Sequence, residues 1–193
     1  FGPSGGMRVL ARVPIALTLL RWPLAGVMLV NAFTARAGWV FAACLIVGVV
    51  SDIFDGVIAR RLGVDEPGMR RLDSATDVVF WLAALACVWF VHPEVVRSFA
   101  VAILGLVVLE VACNAVSLLR FGRLPATHTY SAKAWGLALA TSLVLLLGFG
   151  IAGWPFVVML VMGYLADADV LVILLLSRRA PVDVAGCWRV RWV

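Results

Sequence analysis

The sequence predicts an all-α polytopic membrane protein: a bundle of six transmembrane helices preceded by a short interfacial helix. Three observations predict it. Hydrophobic residues make up 64% of the 193 residues and charged residues 14%, against roughly 45–50% and about 25% in soluble domains. The apolar residues gather into six stretches of about 19–25 residues, each long enough to cross a bilayer core. Basic residues crowd the gaps between alternate stretches. Residues 7–193 read as a single membrane domain, with no internal repeat, no low-complexity segment and no linker long enough to separate two domains.

Phe1–Gly6 read as a non-native extension, with Met7 as the native start. Met7–Pro14 carries Arg8 and Arg12 among apolar residues, as a helix lying in the membrane interface would. The same pattern fits a cleaved signal peptide, but Arg21 interrupts the apolar run and cleavage would invert the charge distribution described next. The spans are expected at 15–34, 38–60, 73–91, 95–119, 131–150 and 154–177. Glycines, prolines and charges break them at Ala37-Gly38, Arg60–Arg71, His92-Pro93-Glu94, Phe121–Thr129 and Gly150–Gly153. Trp22, Trp39, Trp135 and Trp154 fall near span ends and fit an aromatic belt. Cys44, Cys87, Cys113 and Cys187 show no paired spacing and read as free thiols.

With six spans, only Arg36 and Arg97 of the 16 basic residues fall on one side of the membrane. The positive-inside rule then puts both termini in the cytoplasm. The net charge of +5 is accounted for by topology and anionic headgroups, and no stacking module for nucleic acid is visible.

Asp52, Asp55, Asp73 and Asp77 lie within or beside these apolar runs. Each carboxylate costs about 2.5–3.5 kcal/mol at mid-bilayer unless it is paired or placed near the interface. On a helix, positions 52, 55, 56, 59 and 60 form one stripe. Asp73 and Asp77, four apart, share a face of the next helix. Two such helices packed together offer a cage of carboxylate oxygens, the ligand type of hard divalent ions. Gly56 and Ala59 leave room for a ligand against the backbone, and Arg60 can fork onto a phosphate. The pattern describes a site for a metal-bound phosphoryl compound at the cytoplasmic face.

Asp52, Asp55, Gly56, Ala59, Arg60, Asp73 and Asp77 stand at the spacing D-x2-D-G-x2-A-R…D-x3-D, which resembles the signature of the CDP-alcohol phosphotransferase family of phospholipid-synthesis enzymes. One element departs: the family glycine four residues before Asp73 is Met69 here, and the nearest glycine is Gly68. Either the loop shifts by one residue or the approach to the site is altered. The resemblance implies transfer of a substituted phosphate from a CDP-linked donor to an alcohol, with release of CMP. It implies Mg²⁺ or Mn²⁺, as two ions, on Asp52, Asp55, Asp73 and Asp77, with Asp77 also the candidate general base. Asp52, Gly56, Ala59 and Arg60 would bind the nucleotide. In bacteria the usual donor is CDP-diacylglycerol and the acceptor a small polar alcohol, in the inner membrane; a soluble CDP-alcohol with a lipid acceptor uses the same motif. A homodimer is also implied.

Pro14–Arg21 resembles the family's opening P-N-x-L-T-x-x-R segment, with Ile15 in place of asparagine. Thr18 and Arg21 would then line the site, although Arg21 also reads as a snorkelling side chain. Lys133 resembles a basic family residue and would contact a phosphate or carboxylate. Arg70 and Arg71 would hold an anionic acceptor, or serve only the positive-inside rule. Glu110 and Asn114 suit helix–helix contacts, and Asp167 and Asp169 a cytoplasmic cavity. The rival reading from another class is a divalent-cation transporter using the intramembrane carboxylates. A pore, however, would want polar residues through the whole depth of the membrane, and Gly56, Ala59 and Arg60 have no clear use in one.

Overall fold

A computed structural model of the protein describes residues 12–62, 67–123, 129–177, 184 and 186–189. Among them there are seven α-helices, one short 3₁₀ turn and no strand. The helices are α1 (Arg12–Phe33), α2 (Gly38–Leu62), α3 (Pro67–Val91), α4 (Pro93–Ser98), α5 (Ala100–Phe121), α6 (Tyr130–Phe149) and α7 (Gly153–Leu176), and the 3₁₀ turn is Cys187–Arg189. Five of them (α1, α2, α5, α6 and α7) are long and apolar enough to cross a membrane. Much of their apolar surface is exposed, as with Val101, Leu119 and Leu137, which suits contact with lipid. The protein is a polytopic helical membrane protein.

Three departures from the expected spans have physical causes. The apolar part of α3, Ala75–Val91, falls short of the other five, at about 26 Å for a rise of 1.5 Å per residue. The helix itself starts at Pro67 rather than at 73, because proline suits a first helical position and charged residues sustain a helix outside the apolar layer. The expected span 95–119 is two helices, α4 and α5. Ser98 Oγ donates to the Glu94 carbonyl at 2.9 Å, and a hydroxyl bonded to the carbonyl four residues back bends a helix. Finally, Arg12–Pro14 run straight into the first span as part of α1; the rest of the expected interfacial segment, and Phe1–Gly6, lie outside the described residues.

The chain divides into two compact units. The first takes the described residues through Pro93 with Leu143–Ile151. Here α1 packs on both α2 and α3 through Met28, Phe41, Leu45 and Phe80, all essentially inaccessible. Gly48 lets the Phe80 ring seat against α2: a Cβ there would lie 2.3 Å from its tip. The turn from α1 to α2 is tied by Asn31, whose side chain bonds both the N–H and the carbonyl of Ala37, at 3.1 and 3.0 Å.

The second unit takes Glu94–Ser142 and the described residues from Ala152 onward. There α5 packs on α7, and Tyr164 donates to the Ala102 carbonyl at 2.7 Å. Arg120 donates to the carbonyls of Leu174, Leu175 and Ser177 at 2.5, 3.0 and 3.3 Å. These include carbonyls that the end of α7 leaves without a helical partner. Gly122, at φ 68°, closes α5 in the left-handed conformation that glycine adopts without strain.

Candidate active site

Three helices of the first unit carry the site. Thr18 and Arg21 are three apart on α1, Asp52 and Asp55 three apart on α2, and Asp73 and Asp77 four apart on α3, so each pair shares a helix face. Because α1 packs on both α2 and α3, the three faces meet.

They meet on Arg21. One Nη donates to Asp52 Oδ1 at 3.1 Å and to Asp77 Oδ1. The other donates to Asp55 Oδ2 at 2.5 Å and to Asp73 Oδ1 at 2.7 Å. A guanidinium has five N–H donors; four are taken by four different carboxylates, and the fifth, on Nε, is buried without a partner. Such an orphan costs about 1–3 kcal/mol. Arg21 is 1% exposed, so it does not snorkel. Taking it away would strand buried acid, a loss of about 3–5 kcal/mol in comparable buried pairs.

The carboxylates differ in depth. The Asp55 side chain is 2% exposed, whereas those of Asp52, Asp73 and Asp77 are 45%, 35% and 32% exposed. Asp55 therefore forms the floor and the other three an open rim. Thr18 Oγ1 steadies the floor, lying 2.9 Å from Asp55 Oδ2 and 3.0 Å from the Pro14 carbonyl of its own helix. Thr76, buried on α3, accepts a bond from Trp22 Nε1 at 3.2 Å and helps dock α1 on α3. Gly56 is half-buried beside Asp55.

The donor set suits a hard divalent cation. One carboxylate oxygen from each of Asp52, Asp55 and Asp73 lies within 4.8 Å of the other two, and Mg²⁺ and its relatives take oxygen ligands. Asp77 stands outside that trio but is tied to the same guanidinium. Four acids sharing one guanidinium leave negative charge to spare, so the cluster attracts further cations.

The side chains of Ala59, Arg60, Arg70 and Arg71 lie outside the described residues. The α2 backbone carries positions 59 and 60 one turn beyond Asp55 and Gly56, as the stripe requires. Gly68 and Met69 fall in the first turn of α3 rather than in a loop, where position 69, four before Asp73, shares that residue's face.

Most of the remaining expectations fall in the second unit. Lys133 is exposed, with its Nζ 5.6 Å from the centre of the Tyr130 ring. Asn114 donates to Glu110 Oε1 at 2.9 Å along its own helix. Asp169 accepts from Ser131 Oγ at 2.7 Å and from the Cys187 backbone N–H at 2.8 Å. It thereby anchors the 3₁₀ turn. Asp167 is buried with Oδ2 unpartnered, and its carboxyl group hydrogen-bonds Glu110 of α5, a helix–helix contact. Trp135 departs from the belt: its Nε1 is buried, and a Cβ on Gly163 would lie 2.9 Å from it. Trp39 and Trp154 are highly exposed, as belt residues would be. All four cysteines are free.

Sequence reasoning missed two features. The opening-segment resemblance put Arg21 at the site, but the convergence of all four acids on it was not read from the sequence. The anchoring role of Asp169 had no local signal.

Among known protein families, the CDP-alcohol phosphatidyltransferase model matches residues 11–181, a stretch that includes every helix described above except the 3₁₀ turn. No curated protein and no solved structure matches the chain.

Proposed function

The chain belongs to the CDP-alcohol phosphatidyltransferase family, and from that premise we propose that it transfers a substituted phosphate, phosphatidyl from CDP-diacylglycerol, to a small alcohol and releases CMP. The observation that carries this reading is the meeting of Asp52, Asp55, Asp73 and Asp77 from two helices at one point.

Asp52, Asp55 and Asp73 would hold the first Mg²⁺ or Mn²⁺, and Asp77 would contribute to a second. A bound divalent ion supplies neutralisation of the diphosphate oxygens and of the charge growing on departing CMP. Gly56 and Ala59 leave the nucleotide diphosphate space against α2, and Arg60 pairs with it. Asp77 takes the proton of the acceptor hydroxyl. The acceptor oxygen then bonds to the phosphorus bearing the lipid, and the bond from that phosphorus to the bridging oxygen breaks, leaving with CMP. Thr18 holds the floor carboxylate. Arg70, Arg71 and Lys133 are the candidates for an anionic acceptor. The site opens at the cytoplasmic face of a bacterial inner membrane, both termini lie on that side, and the working form is a homodimer of a single 7–193 domain.

The test is CMP release from CDP-diacylglycerol by the purified protein with Mg²⁺ or Mn²⁺, across a panel of alcohol acceptors and beside Asp77→Asn. Metal-dependent CMP release with one acceptor, lost in the variant, is the expected result and names the product. No release with any acceptor, or from soluble CDP-alcohols with diacylglycerol, together with Mn²⁺ uptake into proteoliposomes, would replace the transferase reading with a transporter.

A further inference from the structure

Arg21 occupies the place that the carboxylates offer to a cation. Three of its four bonds go to Asp52, Asp55 and Asp73, the trio whose oxygens approach one another within 4.8 Å. The fourth goes to Asp77. A hard divalent ion needs carboxylate oxygens at about 2.0–2.1 Å for Mg²⁺, and a guanidinium bonded to the same four carboxylates repels it. The two cations therefore compete for the same carboxylates. Among the described residues, the hydrogen bonds of the Arg21 tip go to the acids alone, and its Nε has no partner. Thr18 contacts Asp55 independently, so the floor carboxylate keeps a partner if the guanidinium leaves.

We propose that Arg21 is a built-in placeholder cation. Its guanidinium holds the four carboxylates together when no divalent ion is bound and yields them when one binds. The inference rests on the metal-site reading above and adds to it a residue that positions the ligands and governs their availability. It explains why a fully buried arginine meets four acids in a site that needs those acids for something else.

The test uses the full chain purified in detergent and stripped of metal, as wild type and as Arg21→Gln. Mn²⁺ binding is read from the loss of the free-ion electron paramagnetic resonance signal, and stability from thermal melting with and without Mn²⁺. Removing the competing charge should tighten Mn²⁺ binding by about tenfold or more. Without metal the variant should melt well below wild type, and saturating Mn²⁺ should close most of that gap. A purely structural arginine would leave the gap the same in both conditions. Wild type that binds Mn²⁺ beside a variant that binds it equally or more weakly, or a melting gap that Mn²⁺ does not narrow, overturns the placeholder role alone. Absence of Mn²⁺ binding in both proteins overturns the metal-site reading and the placeholder with it. A variant that folds only when Mn²⁺ is present throughout purification is the extreme form of the expected result. If it folds in neither condition, Arg21→Lys takes its place: an ammonium is a single point charge rather than a fork, and the same tightening should appear at about threefold. Unchanged or weaker Mn²⁺ binding in the lysine variant overturns the proposal.

Discussion

Two groups of acids lie within hydrophobic helices of this protein, and they are used differently. In the first unit, Asp52, Asp55, Asp73 and Asp77 converge on one buried guanidinium, with three of the four side chains partly exposed. In the second, Asp167 and Asp169 are two residues apart on α7 and so point to different surroundings. Asp169 is satisfied by a serine hydroxyl and a backbone N–H, while Asp167 is buried with one oxygen unpartnered. An acid in a membrane helix is costly in either place, so the cost alone does not mark a site. Convergence of several acids from different helices on one open point does.

The sharpest way to break this comparison is to neutralise one acid from each group. Asp52→Asn and Asp55→Asn should each lower CMP release by about 10²–10³-fold, the scale of losing one preorganised electrostatic partner of a transition state. Asp169→Asn should leave the rate within about twofold. Equal losses in the two groups would show that convergence does not distinguish them.

A smaller effect is expected at the floor of the first group. Thr18→Val removes a hydroxyl bonded to buried Asp55 and should cost about 1.5–3 kcal/mol, as hydrogen bonds to charged groups do, read as a lowered midpoint in thermal or denaturant unfolding. In the second group, Asp167→Asn keeps the shape and removes the charge of a side chain with an unsatisfied oxygen. Its stability should change by less than about 1 kcal/mol or improve, and a loss of several kcal/mol would mean that its hydrogen bond with Glu110 outweighs the cost of the unsatisfied oxygen.

The smallest effect concerns the tail. Asp169 hydrogen-bonds the Cys187 thiol and holds its pKa above the ordinary value. A raised thiol pKa means less thiolate near neutral pH, so Asp169→Asn should speed alkylation of Cys187 at pH 7.5 by about threefold. The difference should shrink at a pH high enough to ionise the thiol in both proteins. An unchanged rate at pH 7.5 would separate the thiol from Asp169.

How much could be read in advance differs between the fold and the site. The helix limits were legible to within a few residues for α1, α2, α6 and α7, because a stretch of lipid-facing side chains ends where polar residues begin. They were less legible at Pro67, where the helix outruns its apolar part, and at Ser98, where one side-chain hydrogen bond bends what hydropathy presents as a single span. In the site, the grouping of Asp52 with Asp55 and of Asp73 with Asp77 follows from 3.6 residues per turn and needs no partner helix.

The choice of partner is a different kind of question. Arg21 reaches acids 31 to 56 residues away along the chain, and no local rule selects it over Arg60 or Lys133. Local periodicity sets which face a residue occupies, since that depends only on backbone geometry. Which faces meet depends on how Met28, Phe41, Leu45 and Phe80 fill the space between helices and on Gly48 letting a ring come close. Away from water, each charge then takes the nearest opposite charge in space, and packing decides which that is.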